Sequence, residues 1–369
     1  MGSRKWGVDS RYLMVYNVAR TPLEGDRFMG KPRVWYIQTQ AHTERIFDRA
    51  DYGRMLEQFD VTLNEADQRY SSEQIAEGIA GYDALVTGWS NAPAITPQIL
   101  ENADRLKIIA HSAGSIKHVV SREVIDEYLI PKGIVLFSAN GAIAYNVAES
   151  AVGMIMMGCH RWAEFAQNFR QTGIWRPPSI RPNARFLMGS TVGVVSASQV
   201  GREVIRLLSV WRATVLLYDP YVTAEQAAEM GAEKVELNEL FARADHVTVH
   251  APSIPATDNL IGAEQLSLLR DGATLVNTSR GSVIDHGALL AEAAAGRLYL
   301  VLDVTTPEPL PMDSPFRLLN NVDIVPHLSG SGFYGYHMIG TMTVNAIEAA
   351  CAGEPVVGAV DYSRYDILA

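Results

Sequence analysis

The chain is poor in cysteine: Cys159 and Cys351 are the only two in 369 residues, and neither stands in a C-x-x-C pair. Two thiols make no disulfide framework and fit a reducing compartment, so a cytoplasmic location is expected. A surplus of positive charge is also missing, with 31 Lys+Arg against 41 Asp+Glu and a formal charge of -10. Nucleic acid and anionic membrane surfaces both need a basic face, so neither is expected as a partner. A local basic pocket for a small anion stays open. Long apolar runs are absent as well. The most apolar stretch, "SAVGMIMMGC", has half of the ~20 residues a membrane span requires and reads as a buried helix. The opening "MGSRKWGVDSRYLMVY" has no continuous apolar core and no small-residue cleavage site, so no secretory signal is expected. No P-loop, no G-x-S-x-G elbow and no metal-spaced His/Cys cluster occurs. The parts required for phosphoryl transfer, acyl transfer and metal-assisted catalysis are therefore missing, and no metal is expected.

What is present is the material of a two-domain globular protein: enough length for two cores, 48% hydrophobic and 20% charged residues. The opening residues to about Gly30 are assigned no element; an arm packing elsewhere on the protein is one reading. From Pro32, "RVWYIQT", "VTLNEA", "DALVTGW", "LKIIAHS" and "IVLFSA" read as strands. Helical stretches such as "ERIFDRADYGRMLEQF" and "TPQILENA" lie between them. A long helix is expected from near Val147 through "AESAVGMIMMGCHRWAEFAQNF", and "RQTGIWRPPSIRPNARF" interrupts it with three prolines. A second series follows: "TVGVVS", "TVLLYD", "HVTVHA", "ATLVNT", "LYLVLDV" and "VDIVPH". Helical sequence, including "MTVNAIEAACAGE", closes the chain. Buried strands alternating with helices signal parallel sheets covered on both faces. Two doubly wound α/β units are expected.

The turn "TVGVVSASQVGREV" opens the second series. Ser196, Ser198 and Gly201 stand where a dinucleotide turn carries its three glycines, and only Gly201 keeps the type, for close helix–strand packing. Ser196 is comfortable at negative φ, whereas a left-handed backbone there costs ~1–2 kcal/mol. The Ser198 hydroxyl faces the expected phosphate position, where it crowds a ligand or donates a hydrogen bond to it. The helix N-terminus through Gln199 and Val200 offers N–H groups to a phosphate. Asp219, ending the next strand, suits an adenosine ribose. Taken alone, the stretch fits a plain βαβ turn with a capping serine equally well.

A second constellation tips the balance. Arg280 in "GATLVNTSRGSVIDHGALL", Asp303 and Glu308 in "VLDVTTPEPLP", and His327 in "VDIVPHLSGSG" each follow a strand, on the rim where open α/β sheets bind ligands. Together they offer a cationic anchor, an acid and a proton carrier. Singly, each has a bland reading: a surface ion pair, a solvated loop residue, a capped core histidine.

With these residues in place, the sequence resembles the D-specific 2-hydroxyacid dehydrogenases. The matching segments are "LKIIAHSAGSIKHVV", "NVAES", "YDP", "ADHVTVHAPSIPATDNLIGAEQLSLLRDGATLVNTSRGSVID", "LDV…PEP" and "PHLSG". The resemblance implies a flavodoxin-like substrate domain, residues 1–146 plus 330–369, and an inserted Rossmann NAD-binding domain, residues 147–329. It implies that Arg280 anchors a 2-keto or 2-hydroxy acid by its carboxylate and that His327 is the acid/base paired with Glu308. It places NAD against Ser196, Ser198, Gln199, Val200, Gly201, Asp219, Thr278, Asp303 and Ser329. Asp303 would face the nicotinamide carboxamide, and Asp219 would favour NAD over NADP. The substrate carboxylate would meet the loop Ala113, Gly114, Ser115 and Lys117. That loop departs from the usual G-x-G-x-D. Lys117 admits a second anionic group or pairs with a nearby acid, and with such an anchor the substrate is a bulkier or doubly charged acid. The chemistry suits the residue types: the alkoxide left by hydride addition takes a proton from an imidazole, a neighbouring carboxylate favours and orients the imidazolium, and a guanidinium matches a carboxylate bidentately. The resemblance also implies a homodimer formed through "GCHRWAEFAQNFRQTGIWRPP". Because both leading turn glycines are serine, a protein that binds NAD(H) without turnover stands as the alternative.

Overall fold

Each expected run of β-branched residues forms a strand in the computed structural model, which describes residues 30–178, 180 and 185–368. The opening stretch before Gly30 lies outside the described residues. Five strands, β1 (Arg33–Tyr36), β2 (Asp60–Leu63), β3 (Ala84–Gly88), β4 (Ile108–Ser112) and β5 (Val135–Ser138), make one sheet in the order β2-β1-β3-β4-β5. Seven more make a second sheet: β6 (Thr191–Val195), β7 (Thr214–Tyr218), β8 (Glu233–Lys234), β9 (His246–Val249), β10 (Thr274–Asn277), β11 (Tyr299–Leu302) and β12 (Val322–Ile324). Its order is β12-β11-β10-β9-β6-β7-β8, and every pairing in both sheets is parallel. The first order is flavodoxin-like. The second is that of a Rossmann sheet with one strand added, its direction reversing between β6 and β9. Only the two-residue edge strand β8 had no apolar run to announce it.

Side chains of the second sheet alternate between two cores, as a pleat requires. Leu216, Leu275 and Leu300 join one core, while their neighbours Leu217, Val276 and Val301 join the other. The first sheet divides likewise, with Leu85 and Ile109 on one face and Val86 and Ile108 on the other. The C-terminal segment returns to this sheet. Ile339, Val344 and Ile347 of the helix Phe333–Ala352 share a core with Val34 and Val86. Further on, the Val360 N–H donates to Leu136 O (2.8 Å) and Tyr362 Oη to Ile134 O (2.8 Å).

Two expected helices differ from the structure. The stretch before β2 forms two helices, Gln40–Ile46 and Arg49–Gln58, because the Asp48 side chain caps the second by accepting the Asp51 N–H. The long helix begins at Asn140, ahead of the expected Val147, and stops at His160. Arg161 takes φ +54 and donates its N–H back to Gly158 and Met157, and a separate helix, Trp162–Thr172, follows. By length and composition alone Asn140–His160 is apolar enough to cross a membrane. It packs instead on β10, β11 and the helices Gln199–Leu208 and Phe333–Ala352. A Cβ on Gly158 would lie 2.4 Å from Thr274 Cγ2, so that approach requires glycine.

Candidate active site

The strands β10, β11 and β12 are parallel neighbours, so the loops leaving their C-terminal ends share one rim. Arg280 follows β10, Glu308 follows β11 and His327 follows β12. His327 Nδ1 lies 2.6 Å from Glu308 Oε1, and both side chains are about half exposed. With an ionised carboxylate as acceptor, Nδ1 carries the proton and Nε2 is left for a ligand. The backbone is shaped for this pose. His327 has φ +51, and its N–H is held by the carbonyls of Asp303 (2.9 Å) and Val325 (2.8 Å).

Asp303 is buried beneath the turn. Its Oδ1 accepts the N–H groups of Leu328 (2.8 Å) and Ser329 (3.1 Å). In this structure it organises the segment that carries the histidine. The long helix grips the same segment from the other side. Asn146 Nδ2 donates to Gly330 O (2.9 Å) and Gly332 O (2.8 Å), its Oδ1 accepts the Gly335 N–H (3.2 Å), and Ser150 Oγ donates to Ser329 O (3.0 Å). Sequence reasoning matched "NVAES" without giving Asn146 a task.

Arg280 is exposed, and its Nη1 donates to the carbonyl of Ser279 (2.7 Å). Among the described residues, no acidic side chain pairs with its guanidinium, which leaves the fork available to an anion. Its loop interlocks with the one leading to Glu308: a Cβ on Gly281 would stand 2.3 Å from Thr305 C. The Thr306 N–H donates to His286 Nε2 (3.0 Å), while His286 Nδ1 meets Ile284 O (3.0 Å), a second tie that the sequence did not announce. No hydrogen bond joins Arg280 to His327 among the described residues; what they share is the rim of β10, β11 and β12 and the interlock of the loops that carry Arg280 and Glu308.

At the switch between β6 and β9, Ser196 adopts φ +80, the left-handed backbone of a first glycine. Its hydroxyl donates to Asp219 Oδ2 (3.3 Å), which also accepts the Ala197 N–H (2.8 Å), while Oδ1 accepts the Tyr221 N–H (2.8 Å). Ser198 caps the helix Gln199–Leu208, its Oγ accepting from the Gly201 N–H (3.3 Å). A Cβ on Gly201 would lie 2.0 Å from Ser196 O, so the packing glycine is indispensable. The first-turn N–H groups of Gln199 and Val200 have no acceptor within the helix, and the Ser198 hydroxyl proton remains to donate. This donor set fits a dinucleotide phosphate, and Asp219 keeps a lone pair for a ribose hydroxyl. Thr278 is turned to His250, Oγ1 to Nδ1 3.3 Å, and His250 Nε2 meets Thr248 Oγ1 at 2.9 Å. Complete burial pushes the His250 imidazole down to about 3, so it is neutral there and structural.

The loop after β4 is anchored through its carbonyls: Ser138 Oγ donates to Gly114 O (2.7 Å), and the Ala139 N–H donates to Ala113 O (3.0 Å). Ser115 is half-buried in the same loop. Lys117 is placed differently from the expected anion anchor or acid partner: its Nζ donates to the carbonyl of Asp366, 3.2 Å away in the C-terminal tail. His111 is buried against Thr87, and His118 meets it edge-on (5.8 Å).

Comparison with known proteins gives this arrangement its relatives. A family model described as "D-isomer specific 2-hydroxyacid dehydrogenase, NAD binding domain" matches residues 152–329, which assigns NAD to this part of the chain. D-3-phosphoglycerate dehydrogenase of Methanocaldococcus jannaschii is 30% identical over 290 residues, 77% of this chain and 52% of that protein. The chain thus spans about half the length of the phosphoglycerate dehydrogenases it matches. Hydroxypyruvate reductase of Thermotoga maritima is 29% identical over 289 residues, covering 77% of this chain and 90% of that protein. A crystal structure of a phosphoglycerate oxidoreductase from Rhizobium etli superposes with a TM-score of 0.76 over 89% of this chain and 98% of that one, at 21% identity.

Proposed function

Because the chain belongs to the D-2-hydroxyacid dehydrogenase family, we propose that it is an NAD-dependent oxidoreductase interconverting a 2-keto and a 2-hydroxy acid. The observation that carries this reading is the 2.6 Å His327–Glu308 pair on the rim that also bears Arg280, whose guanidinium has no acidic partner among the described residues. NAD supplies the hydride chemistry at C2. Arg280 and the N–H groups of the Ala113–Lys117 loop hold the carboxylate and fix the face presented. His327 Nε2 gives its proton to the C2 oxygen as negative charge develops there, and takes one in the reverse direction. Glu308 keeps the ring oriented through Nδ1 and offsets the imidazolium charge. Residues 1–146 with 330–369 act as the substrate lobe, and residues 147–329 as the nucleotide lobe.

The test is NADH oxidation against a panel of 2-keto acids. His327→Ala should lower kcat by about 10²–10⁴-fold while leaving NAD affinity near wild type. Arg280→Lys, which loses the planar fork, should chiefly raise KM. A second reading, NAD(H) binding without turnover, rests on the departure of the cofactor turn, where Ser196 and Ser198 stand in place of the two leading glycines. Tight calorimetric binding with no turnover of any 2-keto acid would select it. A cytoplasmic homodimer completes the proposal. The dimer is supported by the exposed apolar surface of Trp162, Phe169, Trp175 and Met188.

A further inference from the structure

The loop leaving β3 places a tryptophan between the two halves of this site. Gly88 is the register partner of Ser112, so Trp89 and Ala113 are the next residues out on adjacent parallel strands. Trp89 therefore stands beside the start of the substrate loop. Its other flank meets the histidine's turn: the indole lies 5.7 Å from the Tyr336 ring at 72°, Tyr336 Oη donates to Ser331 Oγ (3.1 Å), and the Ser331 N–H donates to the carbonyl of Leu328, the residue after His327. Despite these contacts Trp89 is 47% exposed, and Leu328 is 52% exposed.

We propose, resting on the reading above, that Trp89 and Tyr336 form the wall that receives the substrate's side chain, and that the enzyme prefers 2-keto acids carrying an aromatic or bulky apolar group. With the carboxylate on the Ala113–Lys117 loop and C2 at His327, the third substituent of C2 points toward the residue bridging those two segments. The two rings carry no charge of their own. Behind Trp89 the His42 ring packs edge-on at 5.8 Å and is held by Ser112 Oγ (3.2 Å). Burial and the nearby Arg45 push that imidazole down to about 4. Ring edges of this kind favour another ring by offset or edge-to-face contact. A phosphate or second carboxylate would need convergent N–H donors. The guanidinium that approaches, Arg45, lies over the Tyr336 ring at 5.8 Å, and Lys117 is turned to the C-terminal tail.

The experiment compares kcat/KM of the full chain with NADH on phenylpyruvate, 4-methyl-2-oxopentanoate, glyoxylate, 2-oxoglutarate and 3-phosphohydroxypyruvate. The expected wild-type preference for phenylpyruvate over glyoxylate is about tenfold or more; Trp89→Ala should shrink that ratio by roughly tenfold, and Trp89→Phe should keep most of it. Should Trp89→Ala fail to fold, Trp89→Leu, closer in volume, serves the same comparison. Turnover led by glyoxylate or by either multiply charged acid, or a ratio untouched by the Trp89 variants, overturns the side-chain assignment and leaves the dehydrogenase reading standing. Turnover of none of the five overturns both.

Discussion

Ser196 sits at φ +80, a backbone that costs a side chain about 1–2 kcal/mol relative to glycine. Ser196→Gly relieves that strain, and the greater freedom of glycine in the unfolded chain takes back roughly half of it. The larger expected effect is on the ligand. Removing this hydroxyl leaves Asp219 Oδ2 with only the Ala197 N–H, and Ser198→Gly releases the Gly201 N–H from its cap. The double variant should bind NAD about three- to tenfold more tightly by calorimetry, with little change in melting temperature. Equal or weaker binding would mean that the Ser198 hydroxyl donates to the diphosphate. The strand pattern made legible that His327 and Glu308 share a rim, and their pairing came from the family resemblance rather than from spacing. The two options at Ser196 were legible, but the choice between them was not. The partner of Lys117 was hidden, since Asp366 lies in a tail that returns to β4 only through tertiary packing.

Among the elements, the helix Asn140–His160 does the most to build the site, and its start was misread for a physical reason. "NGAIAYN" holds a glycine, a β-branched residue and a tyrosine, a weak helix former by propensity. Packing against the helices Gln199–Leu208 and Phe333–Ala352 overrides it. Asn146 lies in this first stretch and serves three backbone groups of the turn after His327. Asn146→Ala leaves the buried Gly335 N–H without its acceptor, at about 1–3 kcal/mol, and frees two half-buried carbonyls that water can reach at smaller cost. The expected result is a melting temperature lower by several degrees and a kcat that falls more than KM rises, with NAD affinity near wild type. Gly335→Ala tests the same clamp from the other side, since its Cβ would stand 2.6 Å from Asn146 Nδ2. If both variants keep wild-type kcat, the clamp is not what positions the histidine.

At the scale of the molecule, the doubly wound architecture was legible because buried parallel strands write themselves as continuous β-branched runs, whereas the charge state of the interior was not. Four histidines are buried across the two sheets. Burial pushes His111 and His250 down to about 3 and His42 and His246 down to about 4. In the unfolded chain the same rings titrate near 6.5. The unfolded state therefore binds more protons below that value, and stability is full above it and lost as pH falls toward the folded values. Each ring contributes a slope of at most about 1.4 kcal/mol per pH unit in that window. Burial raises the carboxyls of Glu164, Asp323 and Glu348, which opposes the trend, because their protonation favours the folded chain. The histidines begin to act nearer neutrality, so urea midpoints should decline steadily from about pH 6.5 downward. His250 isolates the effect, since desolvation is the one cause of its shift and its two ring partners are hydroxyls. His250→Gln retains a hydrogen-bonding side chain but binds no proton. Below pH 6 the variant's stability should fall less steeply with acid than the wild type's, by close to one proton in the linkage slope. Parallel slopes for the two proteins would show that this imidazole is not held neutral by the fold.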